Sequence, residues 1–256
     1  MITPDLIIAF LTLTFLEVVL GVDNIIFISI LSGRFPVEQR KKLMQIGLFL
    51  AMIMRVLLLM GVNWLTRMQN TLIHFDSKYF SSNISIQTLI LLAGGLFLIY
   101  KSTHEIFEKV EMELEEDTTD KKPAFSFSRA LFQIVLIDIV FSFDSILTAV
   151  GMTNGIPYAL WIMIAAVVIA ITIMIGFADP VSRFVNKHPS LQILGLSFLL
   201  LIGFMLITEA ASLSETVIMG STISTIPKGY LYFAIAFSLV VEMLNMRIRK
   251  GIKNLK

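Results

Sequence analysis

The chain has 256 residues, 56% of them hydrophobic and 15% charged, with no cysteine and a formal net charge of +1. Soluble globular domains carry roughly 25% charged residues, so this composition, with a mean hydropathy of +0.84, excludes an ordinary soluble domain and predicts an all-α, polytopic membrane protein. The absent cysteines exclude disulfides and thiolate metal sites, and the near-zero net charge gives no ground for a nucleic-acid partner.

Apolar runs of roughly 17 to 25 residues are long enough to cross a bilayer as helices. Seven such runs follow one another at about 6–31, 43–65, 84–100, 130–150, 157–178, 191–211 and 229–246. The first has no basic residues ahead of it, which predicts a retained span rather than a cleaved signal peptide. Basic residues alternate with the spans. Arg34, Arg40, Lys41 and Lys42 follow the first; Lys101, Lys109, Lys121, Lys122 and Arg129 lie at or beyond the end of the third. Arg183 and Lys187 follow the fifth, and Arg247, Arg249, Lys250, Lys253 and Lys256 the seventh. The opposite side has only Arg67, Lys78 and Lys228. The positive-inside rule therefore places the N-terminus outside and the C-terminus in the cytoplasm, and the expected location is the bacterial inner membrane with the lipid bilayer as partner.

Within the first span the stretch FLEVVLGVDNI carries Glu17 and Asp23, and within the fourth LIDIVFSFDSI carries Asp138 and Asp144 at the same spacing. Each repeat unit has three spans, an odd number, so the second copy is inverted. The chain divides on this basis into a three-helix repeat over 1–104, an acidic cytoplasmic linker over 105–128, an inverted three-helix repeat over 129–211, and an outer loop, seventh helix and basic tail over 212–256. The third and sixth spans match more loosely, SIQTLILL with SLQILGLS, which aligns Thr103 with Thr208 and His104 with Glu209. Inverted repeats are a common transporter architecture, with substrate held near the midplane on discontinuous helices. The linker holds eight acids between Glu105 and Asp120, a composition expected of a solvated, partly disordered segment.

Carboxylates inside a span are expensive and mark a functional site by default. On a regular helix Glu17 and Asp23 lie about 120° apart in azimuth and would not face one point. Gly21 and Ser142 occupy matching places between the acids, where a helix can kink or unwind. A break there would turn Glu17, Asp23 and Asn24, with Asp138, Asp144 and Ser145, into one oxygen-lined cavity. Such a donor set suits a hard divalent cation: magnesium, calcium or manganese. Zinc or copper would want imidazole or sulfur, and none of His74, His104 and His188 lies mid-span. Arg55 is the one basic residue deep in a span, and is expected to tie down one acid when the site is empty. Glu209 and Glu242 are candidates for an access path.

The paired segments EVVLGVDN, residues 17–24, and DIVFSFDS, residues 138–145, with GGLFLIYKSTHE at 94–105, resemble the signature of the TerC family of integral membrane proteins, within the lysine-exporter superfamily. The resemblance covers essentially the whole chain. It implies a multi-pass fold and an association with manganese efflux or tellurite resistance, and it makes Glu17, Asp23, Asp138 and Asp144 the metal-binding acids.

The function expected is secondary export of a divalent cation, manganese foremost, with no resident cofactor and no enzymatic activity; a Walker-type phosphate loop to couple ATP is absent from the sequence. Two other classes compete. A non-transporting assembly or partner protein would use the acids structurally. An intramembrane aspartyl protease would use Asp23 and Asp144 as an acid and base pair, but a second acid six residues upstream of each fits multidentate coordination better.

Overall fold

The computed structural model describes residues 4–62, 68–77, 80–114, 126–153 and 155–253, and their side chains except those of Asp5, Val22, Asp23, 112–114, Asp144 and 249–253. Among the described residues are seven helices long and apolar enough to cross a membrane. They are α1 (Pro4–Gly33), α2 (Val37–Met60), α3 (Ile86–Leu114), α4 (Phe127–Met152), α5 (Ala159–Lys187), α6 (Pro189–Leu213) and α7 (Lys228–Lys253). Large apolar side chains such as Phe15, Phe177 and Phe233 stand outward at 68%, 63% and 70% exposure. Singly exposed apolar residues are unremarkable; on all of these bilayer-length helices they form the lipid-facing surface of an integral protein.

The chain forms two compact units, one of Met1–Asn70 with Asp117–Lys187, the other of Thr71–Glu116 with His188–Lys256. The first thus takes α1, α2, α4 and α5, and the second α3, α6 and α7. In the first unit α1 lies along α5, while α2 packs on both α4 and α5. Its core includes Leu13, Phe27, Leu31, Leu48, Ile134, Ile137 and Ile171. In the second unit α3 lies along α6, brought close by two glycines. A Cβ on Gly95 would sit 2.7 Å from the Gly203 carbonyl oxygen, and one on Gly203 would sit 2.9 Å from that of Gly95. Small residues that let backbones approach are the usual means of packing helices in lipid. The contacts are reciprocal, Gly95 meeting Ile207 and Gly203 meeting Ile99. They pair the helices about one turn out of step with the match of Thr103 to Thr208.

The second unit also holds an antiparallel sheet in the order β1-β2-β3-β4, of β1 (Thr71–Ser77), β2 (Phe80–Ser85), β3 (Val217–Ile218) and β4 (Ser221–Thr222). These strands depart from the all-α fold expected from the sequence. The β3–β4 turn has Met219 at φ 51° and Gly220 at φ 81°, the two positive angles of a type I′ hairpin, without the Asn-Gly that announces one. Asn83 fixes the neighbouring pairing, meeting His74 Nδ1 at 2.6 Å and donating to Glu215 Oε2 at 2.8 Å.

Three expected boundaries shift. α2 starts at Val37, directly after Pro36, and so takes Arg40, Lys41 and Lys42 into its first turns. α3 continues well past Tyr100, so residues 105–114 of the expected linker are helical. Pairs at i,i+4 support this extension: Lys101 with Glu105 at 2.7 Å and His104 with Glu108 at 3.3 Å, while Lys109 donates to Gln192 of α6. α5 runs through Pro180 to Lys187, as spanning helices permit where neighbouring groups satisfy the freed backbone.

Candidate cation site

The expected breaks at Gly21 and Ser142 do not occur, because α1 and α4 are continuous through both. Each residue does something else. A Cβ at Gly21 would run into Met174 Sδ of α5, so the glycine makes room for a neighbouring helix. The Ser142 hydroxyl donates to Asp138 Oδ2 at 3.2 Å, one turn away on its own helix.

With the helices unbroken, convergence comes from helical spacing across three elements. Glu17 and Asn24 are seven residues apart on α1, and Asp138 and Ser142 four apart on α4, spacings that put each pair on one face. α2 projects Arg55 between these faces. All are buried; Glu17 is 5% exposed, Asp138 3% and Arg55 2%. Arg55 Nη1 donates to Glu17 Oε2. Its Nη2 and Nε donate to Asp138 Oδ1 at 2.9 and 3.2 Å, and Asn24 Nδ2 reaches the same oxygen at 3.0 Å. The planar guanidinium fork suits two carboxylates at once. Arg55 therefore ties down two acids, not the one expected.

The other expected ligands stand differently. The side chains of Asp23 and Asp144 lie outside the described residues. Ser145 is buried but turns its hydroxyl back to the Ser142 carbonyl of its own helix at 3.3 Å. Glu209 and Glu242 belong to the second unit and are half-buried. Among the described residues no three His, Cys, Asp or Glu side chains gather as a metal site. Ser142, expected as a helix breaker, instead joins the buried cluster through Asp138; its position four residues after Asp138 was the available signal.

Two carboxylates and one guanidinium leave the described cluster with an excess negative charge. Beside Asp138 and Arg55 is a cavity of about 10 Å³, walled mainly by apolar groups including Phe27, Ile134 and Met174. That volume holds about one water. A hydrated divalent ion does not fit, and Arg55 fills the place between Glu17 and Asp138 that a cation would take.

Seven bilayer-length helices, three of which bring buried charge together in the first unit, define an integral, multi-pass membrane protein. The profile of the Integral membrane protein TerC family matches residues 2–256, and the chain belongs to that family. A UPF0053 protein of Haemophilus influenzae is 45% identical over 250 residues, covering 98% of this chain and 97% of the relative. The UPF0053 inner membrane protein YgdQ of Escherichia coli K12 is 46% identical over 243 residues, 95% of this chain and 93% of its own. UPF0053 protein YegH of the same strain is 43% identical over 242 residues, 94% of this chain but 42% of that longer protein. No solved structure matches the chain.

Proposed function

We propose that the protein is a secondary transporter that exports a divalent cation, manganese foremost, from the cytoplasm across the bacterial inner membrane. The observation that carries this reading is that Glu17 and Asp138, from corresponding places in the two copies of the acidic segment, meet at one buried cation, Arg55. In this scheme Arg55 is the counter-ion of the empty carrier. A metal ion that displaces it takes over Glu17 and Asp138, with Asn24 and the acids Asp23 and Asp144 completing an oxygen shell of the kind hard divalent ions prefer. The two acidic segments belong to inverted three-span repeats. Two pairings support that: Glu17 with Asp138 about Arg55, and the reciprocal contact of Gly95 with Gly203. The N-terminus lies outside and the C-terminus in the cytoplasm.

A second reading has its own support, since an arginine bridging two acids in a closed cluster is also what a structural ion lock looks like. Everted membrane vesicles decide between them. Vesicles containing the protein should accumulate manganese faster than vesicles without it, and a protonophore should show whether a proton gradient drives the uptake. No uptake of manganese, magnesium, calcium or zinc at normal protein level would favour the structural reading.

A further inference from the structure

At one end of the first unit, α2 and α5 part to leave an open cleft of about 450 Å³. Arg40 and Lys41 of α2 and Arg183 and Lys187 of α5 line it, against a single acid, Asp179. A second cavity of about 440 Å³ continues it, sharing Lys41, Asp179 and Arg183 and walled by Ile175, Gly176 and Pro180. Arg40 is partly committed, donating to the carbonyls of Phe35 at 2.7 Å and Gly33 at 3.1 Å where α1 ends. Arg183 meets Asp179 at 3.2 Å, but at 75% side-chain exposure, where an ion pair holds weakly. Among the described residues Lys41 and Lys187 make no ion pair or side-chain hydrogen bond, and both are exposed. Three positive charges are thus left over on two facing helices.

The depth of the cleft narrows the ligand. The apolar run of α2 begins just after Lys42, and that of α5 ends at Ala178, one turn before Arg183, so the basic groups lie where spanning helices meet the headgroups. Toward the bilayer from Arg183, the cleft continues along α5 into the cavity walled by Ile175, Gly176 and Ala178. A small soluble anion would use the charges alone. An amphipathic anion uses both the charges and the apolar face.

We propose that this cleft binds the phosphodiester headgroup of an anionic phospholipid, one acyl chain lying along the wall formed by Ile175 and Gly176. Basic pockets between spanning helices are suited to such headgroups, through lysine and arginine at the charged end of the lipid. The bound lipid bridges α2, which carries Arg55, to α5, which carries Met174, and so clamps two walls of the buried cluster. It holds whether or not the cluster carries a metal.

The test compares thermal unfolding of purified protein in a neutral detergent with added phosphatidylglycerol, phosphatidylcholine or inorganic phosphate. A ligand selective for the folded state should raise the midpoint by about 5 °C near saturation. That rise is expected with phosphatidylglycerol alone. It should vanish in Lys41→Gln/Arg183→Gln/Lys187→Gln and persist in Lys42→Gln, whose charge lies outside the cleft. If the triple variant does not accumulate, Lys41→Gln and Lys187→Gln serve singly, each expected to weaken the response. An equal rise with inorganic phosphate makes this a soluble-anion site and overturns the lipid assignment. No rise with phosphatidylglycerol, or an undiminished rise in the cleft variants, overturns the site itself.

Discussion

A guanidinium at 2% exposure among apolar walls is tolerable only because two carboxylates and their hydrogen bonds compensate it. Removing one partner of a buried ion pair typically costs about 3 to 5 kcal/mol, because the other charge is left uncompensated. Arg55→Met strands both Glu17 and Asp138 and should sharply lower the unfolding midpoint of purified protein. Adding Glu17→Gln to that background should recover part of the loss, as expected of coupled neighbours. If Arg55 stands in for the transported ion, manganese should stabilise Arg55→Met more than it stabilises the wild-type protein. An Arg55→Met protein as stable as wild type would refute the closed cluster. At this scale the acids were legible in the sequence, because the same arrangement occurs twice. The partnership of Arg55 with both was not, since it depends on α2 entering between α1 and α4, and local pattern does not encode which helices touch.

At the scale of elements, the apolar runs located all seven helices but not their ends. Charged residues at 37–42, 105–114 and 182–187 were read as loop, whereas α2, α3 and α5 continue through them, held by i,i+4 pairs and by contacts with neighbours. Gly21 carried a different message from the helix break expected of it. Gly21 and Gly95 serve close approach, and a Cβ at either position meets another helix. Gly95→Leu should therefore force α3 from α6. Overpacking typically costs about 1 to 3 kcal/mol, and here the first obstacle is rigid backbone, the Gly203 carbonyl. Gly95→Leu and Gly203→Leu should each reduce the yield of monodisperse protein on size-exclusion chromatography, whereas Gly151→Ala, with nothing within 4 Å, should not. Comparable yields for all three would contradict the contact. The small sheet was illegible because β3 and β4 are two residues each, too short for any alternation to show, and β1 is exposed along its whole length, so no buried face patterns it.

For the whole molecule, the distribution of basic residues predicts the topology. Reporters fused within 115–122, after Lys187 or after Lys256 should report cytoplasm, and fusions at Asp76 or Ser221, in the sheet, should report the outside. An external signal from 115–122 would break the proposed orientation and the inverted repeat together. The central claim, that carboxylates from the two acidic segments carry the transported ion, is tested most directly by manganese efflux from cells expressing Asp23→Asn, Asp144→Asn, Glu17→Gln or Asp138→Asn, normalised to membrane-inserted protein. Each exchange keeps the size of the side chain and a hydrogen-bonding group while removing a negative ligand, which weakens divalent coordination directly. The account predicts efflux at the background of cells lacking the protein for all four, with Asp23→Asn and Asp144→Asn equally impaired; wild-type efflux from all four at normal protein level would contradict it.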